Sequence, residues 1–105
     1  MKNMIQILND RLRTSGIGGR IVCTRTLMSN PKIREIMDRV RNFNDFNKGN
    51  DPYKEHDFGK FEYEGDDVIW KIDYYSDGSY TYASEDPSDP EKTERVLTVM
   101  YADEY

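Results

Sequence analysis

The chain has 105 residues, a net charge of −5 and a mean hydropathy of −0.90, with 36% hydrophobic and 33% charged residues. That length sets one modest core, and thirteen aromatics with periodic apolar segments argue against disorder. No apolar run suits a membrane span. The single Cys23 excludes an internal disulfide, and one His with one Cys excludes most zinc sites. The charge is divided along the chain. Residues 1–50 hold ten Lys/Arg against four Asp/Glu, and residues 51–105 hold five against sixteen, together with all eight tyrosines. A pI near 4.8 counts against generic nucleic-acid binding. The charged N-terminus MKNMIQILNDRLR lacks the apolar stretch of a signal peptide, so a cytoplasmic setting is expected.

In chain order, residues 2–13 read as a helix with Ile5, Leu8 and Leu12 on one face and a stop at Gly16. Residues 19–28 (GRIVCTRTLM) read as a β-branched strand. Ser29, Asn30 and Pro31 signal a helix start. Residues 31–43 then carry the apolar stripe Ile33, Ile36, Met37, Val40 and Phe43. Residues 44–57 (NDFNKGNDPYKEHD) read as a long loop, and long ordered loops in small domains often carry function.

A three-stranded meander is predicted next: FGKFEYE, DVIWKIDYY and SYTYAS, with turns at Gly65-Asp66 and Asp77-Gly78. Two-residue turns there would pair Phe61 with Trp70, Tyr63 with Val68, Tyr75 with Tyr80 and Asp73 with Tyr82. One face then holds Phe61, Tyr63, Val68, Trp70, Ile72 and Tyr74. The other holds Lys60, Glu62, Lys71, Asp73, Tyr75, Tyr80 and Tyr82. Residues 86–94 are turn-rich. Residues 90–102 fit a final helix with Val96, Val99 and Met100 on one side, although RVLTVMY has strand propensity too. The expected fold is α+β: one domain over 1–105, a mostly antiparallel four-stranded sheet, the 31–43 helix packed on the Trp70/Ile72 face, and helices at both termini.

The segments GGRIV, NDPYKEHDFGKFEYEG, WKIDYY and DPSDPEKTERVLTVMYADEY together resemble a family of small bacterial, plasmid and phage proteins known only as a domain of unknown function, number 3768. The likeness runs from about Leu8 to Tyr105. Its most specific parts are 51–62 and 70–75, and the Tyr-rich stretch SDGSYTYASED departs from it. The resemblance implies a mobile-element setting. It carries no catalytic residues and no activity.

Two candidate sites follow from the residues. The first is the 51–57 loop. Histidine is the side chain whose ordinary range suits proton transfer near neutrality, and His56, the one histidine, is surrounded by Asp51, Glu55 and Asp57, which would suit a general base oriented by a carboxylate, or oxygen ligands for a hard metal. The plainer account is a histidine pinning its own turn while the carboxylates cap backbone N–H groups, and it is preferred. Arg20 or Arg95 would line any pocket there. Cys23, mid-strand, reads as a buried thiol rather than a nucleophile. The glycines of SGIGGR lack the ending of a phosphate loop and read as a helix stop. Lys32, Arg34, Arg39 and Arg41 alternate with Glu35 and Asp38, as on a solvated helix surface.

The second is the tyrosine-bearing sheet face, with Glu62, Glu64, Asp73, Tyr75, Tyr80 and Tyr82 as partner-binding residues. Tyrosine gives large contact area at low entropic cost. A covering helix would instead place these rings in a second core layer. The favoured function is non-catalytic: an acidic surface that blocks a basic site on a host nucleic-acid-handling defence complex, as an anti-CRISPR or anti-restriction inhibitor would. The alternative is a small enzyme or a nucleotide- or anion-binding protein using Asp51, Glu55, His56 and Asp57. No metal, cofactor, membrane or direct nucleic-acid partner is expected, and opposite charges on the two halves permit a homodimer.

Overall fold

The computed structural model describes residues 3–76, 78 and 80–105. Helix α1 (Met4–Ser15) starts at Asn3, whose side chain accepts from the Ile5 and Gln6 N–H groups. It stops at Gly16, a left-handed residue whose N–H donates to the Leu12 carbonyl. Strand β1 (Arg20–Cys23) is shorter than predicted. Thr24 ends it by accepting from Leu27 N–H, and so caps a single helical turn, α2 (Arg25–Met28). Helix α3 (Ile33–Arg41) follows a turn in which Asn30 accepts from the Lys32 and Ile33 N–H groups.

Strands β2 (Phe58–Tyr63), β3 (Asp66–Tyr75) and β4 (Glu94–Tyr101) complete a four-stranded sheet in the order β1-β4-β3-β2. The β2–β3 and β3–β4 pairs are antiparallel and β1–β4 is parallel, so the sheet is mixed. The fold is α+β.

Three expectations are corrected. Residues 90–102 are not a helix. Glu94–Tyr101 form β4, in the middle of the sheet, and only a 3₁₀ turn (Ala102–Glu104) follows at the C-terminus. Arg95, Leu97 and Val99 point into the core, and Val96, Thr98 and Met100 point to the opposite face. The strand period therefore prevails over the helical spacing of Val96, Val99 and Met100.

Of the segment SYTYAS, the described residues Tyr80–Ser84 are not a strand either. Among them the one ladder contact is a bridge between Tyr75 and Ala83, because β4 already occupies the edge of β3 the segment would have used and Tyr80 lies at φ 58°. Asp77, half of the expected Asp77-Gly78 turn, lies outside the described residues.

The β2–β3 turn is Glu64-Gly65, not Gly65-Asp66. Both residues have positive φ (52° and 89°), as a type I′ hairpin requires. Phe61 therefore opposes Val68 and Tyr63 opposes Asp66. The slip leaves both face assignments unchanged, since the shift keeps the period-two parity.

All three helices lie on one side of the sheet. Leu12, Leu27, Ile36 and Val40 pack on Phe61, Val68, Trp70, Ile72, Leu97 and Val99. Gly59 is required here. A Cβ at that position would lie 2.3 Å from the Trp70 indole nitrogen and 2.8 Å from the Phe43 ring. Gly19 packs equally closely, with an added Cβ 2.5 Å from the Arg95 carbonyl oxygen, so this glycine serves packing. Among the described residues, no α-helix covers the other face. The C-terminal 3₁₀ turn lies against β3, and Tyr105 sits edge-on to Phe58, 6.5 Å between ring centres. Among the described residues, no helix is long and apolar enough to cross a membrane.

Candidate functional sites

The loop between α3 and β2 is fastened to α1. Asn3 and Gln6 side chains donate to the Lys54 carbonyl at 3.1 and 2.8 Å. The Asn9 amide donates to the Glu55 carbonyl at 3.0 Å and to the Tyr74 hydroxyl at 2.7 Å. Asp51, only 6% exposed, turns its Oδ1 back to accept from the Glu55 and His56 N–H groups at 2.9 and 3.1 Å. These bonds hold Lys54 and His56 in left-handed conformations (φ 57° and 56°) that cost free energy in non-glycine residues.

His56 is enclosed on three sides. Its Nδ1 lies 2.9 Å from Asp10 Oδ1 on α1, its Nε2 lies 3.6 Å from Asp51 Oδ2, and its ring stacks on Phe46 at 3.7 Å between centres. With a carboxylate facing each nitrogen, the imidazole is placed as a clamp between loop and helix. Glu55 accepts from the Tyr74 hydroxyl at 2.8 Å. Burial pushes the Tyr74 phenol well above its ordinary value. Burial, then the neighbouring Glu55, Asp51 and Asp73 charges, raises the Asp57 carboxyl.

The four residues picked from the sequence are thus neighbours with separate tasks. Among the described residues, no three His, Cys, Asp or Glu side chains converge on a metal position. An open cleft of about 560 Å³ beside His56 is lined by Gln6, Phe46, Asn47, Lys48, Asp51, Pro52, Lys54 and His56. Neither expected arginine is there. Arg20 lies over the Tyr80 ring, and Arg95 is buried, donating from Nε to Asn9 at 2.9 Å and from its terminal nitrogen to the Pro87 carbonyl. Sequence reasoning missed Asp10, Asn9 and Arg13. Arg13 is 4% exposed and donates to the Val40, Arg41 and Phe43 carbonyls at 3.0 Å each, closing the C-terminus of α3.

The tyrosine-rich surface divides. Tyr75 and Tyr80 meet edge-to-face at 5.6 Å, with the Arg20 guanidinium 5.2 Å from the Tyr80 ring centre. Tyr82 is 70% exposed. Asp73 is on this half of β3, paired with Lys71 at 2.7 Å. Glu64 sits in the β2–β3 turn, paired with Lys32. Ten residues of β3 separate that turn from Tyr75, roughly 30 Å of strand. Glu62, on the tyrosine face of β2, opposes Asp67 near the same far end.

The tyrosine end gains carboxylates that the sequence reading left out. Glu94 pairs with Tyr75 across the ladder. Residues 84–93 fold back there, the Ser84 hydroxyl donating to the Lys92 carbonyl at 3.1 Å. A shallow hollow joins Tyr82 to Glu85, Glu91 and Lys92. The density of Asp and Glu at 85–94 was the available signal.

The model of a family described as a protein of unknown function (DUF3768) matches residues 23–104. Helix α1 and most of β1 precede the matched region, yet α1 supplies Leu12 to the core and Asp10 to the loop. No curated protein and no solved structure matches the chain.

Proposed function

We propose a non-catalytic binding role for this chain, which belongs to the DUF3768 family of proteins of unknown function. The surface is the tyrosine end of the sheet: Tyr75, Tyr80, Tyr82 and Asp73, joined by Glu85, Glu91 and Glu94. The observation that carries the reading is the Tyr75–Tyr80 pair beside an exposed Tyr82, at the C-terminal end of β3 and next to these carboxylates. Tyrosines flanked by Asp73, Glu85, Glu91 and Glu94, which outnumber the neighbouring Arg20, Lys71 and Lys92, fit a basic partner. Grooves built to hold phosphates attract carboxylates by the same field.

The target class follows from that chemistry: a protein that handles nucleic acid. The narrower target, a bacterial defence complex inhibited in the anti-CRISPR or anti-restriction manner, rests on the mobile-element setting that the sequence resemblance implies. Glu62 and Glu64 belong to a separate part of the surface and are left out of the proposed contact.

The alternative, a small-molecule site at the 51–57 loop, has the cleft beside His56 in its favour. The engagement of Asp51, Glu55 and His56 in holding the loop weighs against it. Affinity capture from bacterial lysate tests the main reading. The retained protein should bind nucleic acid, be displaced by excess duplex DNA, and be lost with Tyr82→Ala combined with Glu85→Lys. Retention that DNA and these substitutions leave unchanged would refute it.

A further inference from the structure

Strand β2 is an edge, and its outer side is open. The Ile72 N–H donates to the Asp57 carbonyl at 2.8 Å, and the β2–β3 register pairs Gly59 with Trp70, Phe61 with Val68 and Tyr63 with Asp66. Alternation along an antiparallel ladder then turns the backbone groups of these odd-numbered residues toward β3, and those of Phe58, Lys60 and Glu62 outward. Among the described residues, no hydrogen bond engages those outward groups. A groove of about 480 Å³ runs beside the edge, between the end of α3 (Asp38, Arg39, Asn42), the following Phe43–Asp45 stretch and the Lys60–Glu62 stretch. FGKFEY holds no proline and no bulge, so its protection against pairing rests on the charges of Lys60 and Glu62, which oppose some registers and favour another.

We propose that this edge pairs with the same edge of a second copy, antiparallel about a two-fold axis at Phe61, to form one continuous eight-stranded sheet. Charge selects both the occupant and the register. Because only even-numbered residues present outward hydrogen-bonding groups, the allowed registers differ in steps of two. Centring on Lys60 sets Lys60 against Lys60, and centring on Glu62 sets Glu62 against Glu62; both are repulsive. Centring on Phe61 sets Lys60 against Glu62 twice, once on each side of the axis.

Glu62 has no ion pair among the described residues, and Lys60 holds only a long exposed contact to Asp67, 3.5 Å. Both are free to engage across the axis. The same register places Tyr63 of one copy opposite Gly59 of the other. Each Tyr63 stays packed on the core of its own copy, its hydroxyl donating to Glu35 at 2.5 Å, so the glycine opposite it leaves the approach of the two strands unobstructed.

Sedimentation equilibrium on the full chain, with circular dichroism to confirm folding, tests the pairing. The wild type should dimerise reversibly in the micromolar to millimolar range. Lys60→Glu or Glu62→Lys alone should raise the dissociation constant about tenfold or more. The double exchange K60E/E62K should restore it, since it re-creates both opposite-charge pairs. Lys60→Pro, which removes only an outward N–H, should abolish dimers while the monomer stays folded. The proposal is overturned by a wild type that stays monomeric up to about 1 mM, by single reversals that dimerise like wild type, or by a double exchange that stays as weak as the single reversals.

Discussion

Asp10 of α1 holds the Nδ1 of His56 at 2.9 Å across 46 residues of sequence, and the same carboxylate accepts from Arg13 at 3.1 Å. The strained loop and the first helix are therefore one unit. Asp10→Ala should lower stability by about 1–3 kcal/mol, the cost of leaving buried polar groups unpaired, measured by urea unfolding. It should also speed tryptic cleavage after Lys48 and Lys54. Unchanged cleavage would mean that the loop is held without α1.

Gly59 should not tolerate even one methyl group. Gly59→Ala drives a Cβ into the Trp70 indole and the Phe43 ring, and should cost about 1–3 kcal/mol. A stability equal to wild type would show that the aromatic cluster of Phe43, Phe46 and Trp70 is loosely packed.

Asp57 should make the protein less stable at neutral pH. Burial and the nearby Glu55, Asp51 and Asp73 raise its folded pKa above the unfolded value. The folded state then binds the proton more tightly. Stability falls as pH rises from the unfolded pKa through the folded one, and the penalty is fully present above both. Asp57→Asn should therefore be more stable than wild type at pH 7, and the difference should shrink toward zero below about pH 4. Equal stabilities at pH 7 would contradict this.

Cys23 should react slowly. Its Sγ sits 3.6 Å from the Met37 sulfur on the core side of β1, and burial raises the thiol pKa. A disulfide reagent at pH 8 should modify it many-fold more slowly in the native protein than in urea. Equal rates would place the thiol in solvent.

Much of the sheet was legible because strand periodicity is local. Phe61, Val68, Trp70 and Ile72 were assigned to the core face even though the turn lay one residue earlier than expected, because the slip preserves parity. β4 was misread because Val96, Val99 and Met100 also satisfy helical spacing. Its true partners, β1 and β3, are set by tertiary pairing that no local window contains. The Tyr80–Tyr82 segment failed as a strand for the same reason: its place beside β3 is taken by a strand from later in the chain. At the loop, Asp51, Glu55 and His56 were recognisable by type, whereas Asp10, Asn9 and Arg13 were not. A helix-borne carboxylate, amide or guanidinium shows its role only once the carbonyls and ring nitrogens it meets are in place.

The binding surface is most directly tested by photo-crosslinking from a benzophenone amino acid at position 82, with position 34, exposed on α3, as the control. In bacterial lysate, position 82 should link to a nucleic-acid-binding protein, and excess duplex DNA should suppress the link while position 34 yields none. Equal labelling from both positions, or a position-82 adduct indifferent to DNA, would contradict the account.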